Sequence, residues 1–390
     1  MKSSAALPAP RGLIGAAVVW IAVACTSVPR ATVSIDPAER WIPLDLSPVC
    51  VPIVEGAIDG RPAALVLDTG VSVTLVDSTW AATVGMETAG GYAVNAPGGT
   101  RGVRRGEAVD LAFGGVALSG VRPLVLDLSW FAWYFGVESV AIVGSELFRS
   151  AVVDLDYRNA RVAVRDPASP SRVPAGATTT LPLEPAATLR LREVTGRIGG
   201  RAFGLELDTG SNGNLTVARR DAALAGVEPG PDAREAVTVG VAGEVRETVT
   251  RIDSLVLAGL AVRDVPTRLS DEDGAGTLGC GVLRRFRAVF DYPEERLHLV
   301  AGSGWRDVPF VENRSGIVPG PHPRGIEVVR VIGGGAAEEA GLRAGDVIVV
   351  VDGVAVEALP GSPVAWIYGP AGTRVELELS GGARRTLELR

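Results

Sequence analysis

The sequence predicts a mainly β protein built of two homologous lobes followed by a smaller module of β-strands with a short helix. Three observations predict it. An internal repeat places Asp68-Thr69-Gly70 and Asp208-Thr209-Gly210 each after an apolar run, Ala64-Leu65-Val66-Leu67 and Leu205-Glu206-Leu207. Short alternating runs closed by glycine recur in both halves, and turn signals at such spacing indicate strands. The last part of the chain has a different texture, with its own strands, a short helix and a tight Asp352-Gly353 turn.

The repeat is legible element by element. Each half opens on a strand and a Gly-Arg turn, Ile58-Asp59-Gly60-Arg61 and Ile198-Gly199-Gly200-Arg201. The apolar strand and Asp-Thr-Gly come next. Alternating runs follow, Val109-Asp110-Leu111-Ala112-Phe113 and Ile252-Asp253-Ser254-Leu255-Val256-Leu257. Each half then reaches a glycine step, Ile142-Val143-Gly144 and Thr277-Leu278-Gly279, a short helix, and Asp156-Tyr157 or Asp291-Tyr292. The spacing from that glycine to the following aspartate is 12 in both halves. The expected organisation is a signal peptide over 1–24, a tether over 25–46, lobe 1 over 47–166, a Pro/Ser/Ala-rich linker over 167–188, lobe 2 over 189–302 and the C-terminal module over 306–390.

At 390 residues, 47% hydrophobic and 21% charged, the chain has the composition of a folded protein of two or three domains. A net charge of −7 argues against nucleic acid as a partner. Lys2 and Arg11 precede an apolar stretch of 12 residues, Leu13 to Ala24, which suits an export signal and is short for a membrane span. It ends in Ala22-Val23-Ala24-Cys25. Ordinary signal cleavage and lipidation of Cys25 at a lipobox-like site both cut there, and the second would anchor a periplasmic protein to the membrane. Cys50 and Cys280 remain, to be paired or buried as thiols. No spacing resembles a metal site, and two histidines, His298 and His322, disfavour a Ser/His or Cys/His mechanism.

Each half resembles a retropepsin-like aspartic protease lobe, and the two together resemble the bilobal acid proteases. The resemblance implies a peptidase with no cofactor, in which Asp68 and Asp208 form a catalytic dyad around one water. At about 4 Å and an effective dielectric near 20, two carboxylates repel by about 4 kcal/mol, so the pair keeps one proton. The charged member would act as general base and the protonated one would polarise the scissile carbonyl of a polypeptide substrate. Thr69 and Thr209 would bond across the lobes, Gly70 and Gly210 would allow close approach, and Gly144 and Gly279 would pack behind the two turns. Ser211, against Val71 in lobe 1, is expected to favour ionisation of Asp208 over Asp68.

Two hairpins are flap candidates, one around Tyr92, Gly98 and Gly99, the other around Gly243; plain surface hairpins are the alternative. Trp130-Phe131-Ala132-Trp133-Tyr134-Phe135 holds five of the 20 aromatic residues. It could line substrate subsites, touch a membrane or pack on its own core. The run Ala336 to Ile348 with Val351-Asp352-Gly353 resembles a bacterial PDZ domain, which implies β-strands with two short helices. By that resemblance Arg324, Gly325 and Ile326 would capture a C-terminal peptide's carboxylate and Ile326–Val329 would accept the peptide as an added strand, unless the domain only supports the protease. The expectation is thus an exported aspartic endopeptidase whose PDZ domain recruits or positions substrate. Its rivals are an inactive peptide-binding envelope scaffold and a pairing of lobes between two chains.

Overall fold

The computed structural model describes residues 31–390 apart from 37–39, 47, 97–98, 139, 171–173, 187–190, 232, 241–242, 273 and 275. The signal segment and Cys25 therefore lie outside the described residues. Strands dominate, in four sheets.

Each lobe owns one sheet, and each sheet presents its Asp-Thr-Gly turn in the same way. In lobe 1 the strand Arg61–Leu67 carries the chain to Asp68, and Leu75–Asp77 carries it away. The strand Val140–Val143 lies between them, parallel to the first and antiparallel to the second. Lobe 2 repeats this with Arg201–Asp208, Leu215–Ala218 and Gly276–Gly279. The turn therefore straddles a buried strand, and the glycine ending that strand sits directly beneath it. A Cβ on Gly144 would come within 2.7 Å of the Val71 carbonyl, and one on Gly279 within 2.2 Å of the Gly213 carbonyl. The apolar-apolar-Gly pattern thus reflects two backbones in contact.

A third sheet joins the lobes. The strands Val152–Asp156 and Arg287–Asp291, equivalent in the two repeats, pair antiparallel with Val153 opposite Phe290. At its centre the fully buried Asp154 accepts from Arg165 Nη1 at 2.6 Å and from Arg287 Nε at 2.8 Å and Nη2 at 2.5 Å. A buried carboxylate is costly unless paired, and two guanidinium groups pair this one. Phe148, Phe286 and Phe290 fill the core beside it. Cys50 and Cys280 form a disulfide across 230 residues, tying the start of lobe 1 to the helix that follows Gly279.

Segments expected to be plain connections take part in sheets. Within the expected tether, Thr32–Ile35 pairs with Val116–Val121 and Ile42–Pro43 pairs with Arg161–Arg165. Within the expected linker, Thr179–Pro182 adds to Arg296–Val300 and Glu184–Pro185 pairs with Arg192–Ile198. Edge strands that would otherwise expose unpaired backbone groups recruit these segments.

The C-terminal sheet runs in the order Ile317–His322, Gly325–Val331, Val347–Val351, Arg374–Leu379, Arg384–Glu388, with Val354–Ala355 off this path. Ala336–Glu339 is one α-helical turn, and the second expected helix is a 3-10 turn, Ala365–Tyr368. The expected peptide acceptor is corrected here. Ile326–Val329 is paired on both sides, with Ile317–His322 and with Val347–Val351, so it has no edge to offer. Arg324 and Gly325 form the hairpin turn before it, and a Cβ on Gly325 would meet the Ile348 carbonyl at 2.1 Å. The open edge is Ile317–His322. It carries Pro319 and Pro321, and proline is tolerated in a strand where its missing N–H would face away from the ladder. That edge therefore lacks donors at two alternate positions, which weakens it as a template for an added strand.

Candidate active site

The two turns meet face to face within one chain. Thr69 Oγ1 donates to the Leu207 carbonyl at 2.8 Å and accepts from Thr209 N at 3.0 Å. Thr209 Oγ1 donates to the Leu67 carbonyl at 2.7 Å and accepts from Thr69 N at 3.0 Å. The reciprocal set satisfies every polar group of both threonine side chains in a dry interface and fixes the carboxylates above it. Asp68 and Asp208 are each 1% exposed. A Cβ on Gly70 would lie 2.6 Å from the Asp208 carboxyl carbon, and one on Gly210 would lie 2.2 Å from Asp68 Oδ2. Only glycine permits each turn to approach the opposite carboxyl this closely.

The dyad is not symmetric. Asp68 Oδ1 accepts from Gly70 N at 2.7 Å and from Gly210 N at 3.3 Å. Asp208 Oδ1 accepts from Ser211 N at 2.8 Å, while its Oδ2 meets no protein donor among the described residues. Burial pushes Asp68 up to about 6, held down by the Gly70 N–H, the Asp208 carboxyl and the Gly210 N–H. Burial pushes Asp208 up well above the usual carboxylate range, and the Asp68 charge and the more distant Glu206 push it further. Asp68 is therefore the more readily ionised member. This reverses the expectation from Ser211: its hydroxyl accepts from Gly213 N at 3.2 Å, and only its backbone N–H serves Asp208.

Glu206, two residues before Asp208 on the same strand, is 1% exposed, and burial followed by the Glu193 charge pushes it up to about 8. A single glutamate in an apolar strand, on the same side as Asp208 by the alternation of strands, was the sequence signal for it.

Both flap candidates are hairpins at the outer ends of the lobe sheets. Thr88–Ala96 pairs with Gly99–Gly106, and Arg234–Gly240 with Gly243–Leu257. Tyr92 is half-buried with the Arg105 guanidinium 5.0 Å from its ring centre. Gly98 lies outside the described residues; Gly99 and Gly243 begin the returning strands.

The aromatic run forms the helix Ser129–Phe135, whose first turn is held by Leu128 N donating to Asp77 Oδ1 at 2.8 Å. Phe131, Tyr134 and Phe135 are buried. Tyr134 hydrogen-bonds Tyr368 of the C-terminal module hydroxyl to hydroxyl, and Asn212 Nδ2 donates to both phenols at 3.3 Å. Neither Asn212 nor Tyr368 stands out in the sequence as a site residue. Asn212 follows the second Asp-Thr-Gly closely, and that proximity was the available signal. The module is further fixed to lobe 2 by Arg251 Nη2 on both oxygens of Glu312, at 2.8 and 2.9 Å, and by Asn214 Nδ2 on the Val311 carbonyl at 3.0 Å.

Two family models match this architecture. The aspartyl protease family matches twice, over residues 54–147 and 194–282, and the PDZ domain family matches residues 327–380. Among similar solved structures is a retropepsin-like aspartic protease from Rickettsia conorii, 17% identical, with a TM-score of 0.26, covering 31% of this chain and 88% of its own. No curated protein matches the chain. The chain therefore carries two repeats of the aspartyl protease family, each contributing one Asp-Thr-Gly turn, and a C-terminal PDZ domain.

Proposed function

We propose that the protein is an exported aspartic endopeptidase that hydrolyses peptide bonds with the Asp68/Asp208 dyad. The observation that carries this is the locked, asymmetric dyad. Asp68, with two N–H donors, is ionised near neutral pH and takes a proton from a water held between the carboxyls. Asp208, kept protonated by burial and by the neighbouring charge, donates to the scissile carbonyl and stabilises the tetrahedral oxyanion. The hydrated carbonyl then collapses with cleavage of its C–N bond: one diol proton returns to Asp208, and the proton gained by Asp68 passes to the leaving amine. The substrate lies extended between the lobes beneath the two hairpins, and the PDZ domain positions it.

Export is supported by the apolar N-terminal stretch ending in Ala24-Cys25 and by the Cys50–Cys280 disulfide, a bond favoured in oxidising compartments. A lipid on Cys25 would place the enzyme at the periplasmic face of a membrane.

The test is digestion of a denatured-proteome peptide library by residues 26–390, beside Asp68→Asn and Asp208→Asn, from pH 4 to 8. Cleavage by the wild type and silence of both variants is the expected result. Silence of all three supports the inactive scaffold, and silence of only one variant breaks the shared dyad.

A further inference from the structure

The cleft differs at its two ends. Asn212 stands four residues after Asp208, and Ser72 holds the equivalent place after Asp68. Asn212 faces the hairpin-covered side, because it shares the wall of a cavity of about 130 Å³ with Val237 and Val249 of the second hairpin. The same cavity is also lined by Val318, Ala336 and Tyr368 of the PDZ domain. Beside Asn212, the Tyr134–Tyr368 pair links lobe 1, lobe 2 and the PDZ domain in one hydrogen-bonded bridge. Tyr134 is 3% exposed and Asn212 5% exposed. Behind the bridge, Gly136 presses on the PDZ backbone, where a Cβ would lie 2.2 Å from the Gly361 carbonyl. Asn212, four residues along the chain from Asp208, thus ties lobe 2 to lobe 1 and to the PDZ domain beside the second Asp-Thr-Gly turn.

The other end lacks the parts for such a bridge. In lobe 1 the 13 residues 127–139 connect Leu124–Leu126 to Val140–Val143 and include the aromatic helix. In lobe 2 the equivalent connection, from Leu260–Ser270 to Gly276–Gly279, is the five residues 271–275, Asp-Glu-Asp-Gly-Ala. No second PDZ domain stands on the Ser72 side among the described residues.

We propose that the Tyr134–Asn212–Tyr368 bridge makes the cleft blind at one end, so that the substrate is a polypeptide held by a chain end and cut a few residues from it. This rests on the peptidase reading above. In it the PDZ domain acts as a wall that measures substrate, with Tyr368 as the specificity-determining residue.

The experiment uses the mature chain and a set of linear peptides carrying one cleavable sequence at increasing distance from either terminus, together with the same sequence cyclised head to tail. The wild type is expected to cut only the linear peptides whose site lies near one particular end and to spare the cyclic form. Tyr368→Ala, which removes the ring, should shift cleavage to central sites and admit the cyclic peptide, whereas Tyr368→Phe keeps the wall and the end preference. Equal rates on central sites and on the cyclic peptide by the wild type would overturn the proposal while leaving the peptidase intact. That comparison needs no variant, so a misfolded Tyr368→Ala does not blunt it. If Asp68→Asn leaves every cleavage unchanged, the peptidase reading itself fails and this proposal falls with it.

Discussion

The N–H of Gly210, in lobe 2, donates to Asp68 Oδ1, in lobe 1, at 3.3 Å. No equivalent bond runs from Gly70 to Asp208; the Gly70 N–H also serves Asp68, at 2.7 Å. Both turn glycines thus stabilise the same carboxylate, and together with the Asp208 carboxyl beside it they hold Asp68 below Asp208.

The pH profile follows from it. Asp68 titrates at about 6, and only its ionised form is a base. Cleavage is expected to fall as pH drops through about 6, by roughly tenfold per unit well below it. A kcat/KM profile on one peptide checks this; an acid limb near pH 3 would contradict the assignment of the base.

The threonine exchange should be sensitive to single atoms. Thr209→Val removes the hydroxyl that serves Leu67 O and Thr69 N and leaves both unpaired in a dry interface. Each unpaired group costs about 1–3 kcal/mol. The variant should melt lower and lose most activity, while Thr209→Ser, which keeps the oxygen, should retain much of both. Thermal melts beside a peptide assay separate these outcomes.

Glu206 should make the fold less stable in base. Its folded pKa, about 8, lies above the unfolded carboxylate range, so folding binds a proton between the two values. That contribution is fully present below the unfolded value and is lost as pH rises through about 8. Glu206→Gln, with no proton to lose, should flatten the fall in Tm between pH 5 and 9. An unchanged slope would show that the carboxyl is not protonated in the fold.

The disulfide should matter more for stability than for chemistry. Cys50–Cys280 closes a loop of 230 residues, and bonds of this kind stabilise by about 2–4 kcal/mol. Replacing both cysteines by serine should lower the denaturation midpoint by that order and leave the pH profile in place. Urea unfolding with and without reductant measures it.

Much of this site was legible in the sequence because its determinants are local. Asp-Thr-Gly and the later glycine recur at near-equal spacing since each pair of backbones must touch. The order of ionisation was not legible. Ser211 suggested a hydroxyl on Asp208, yet the hydroxyl turned to Gly213 N, and the donors that count are backbone groups from both turns. The PDZ edge was misplaced because Ile326–Val329 reads as a strand, whereas Pro319 and Pro321 disguise Ile317–His322, and only pairing tells an inner strand from an outer one. The Tyr134–Tyr368 contact spans 234 residues, and nothing in either local pattern announces the other.

The strands Val152–Asp156 and Arg287–Asp291, equivalent in the repeats, lie side by side in a sheet that belongs to neither lobe alone. Two identical subunits meeting there would be bound to keep identical aspartates, since any substitution would appear on both sides of the axis at once. Joining them in one polypeptide lifts that restriction. Each half can drift by itself, so one carboxyl can specialise as base and the other as acid, and one flank of the groove can be walled off while its mirror flank stays open. Covalent fusion here is a licence for division of labour.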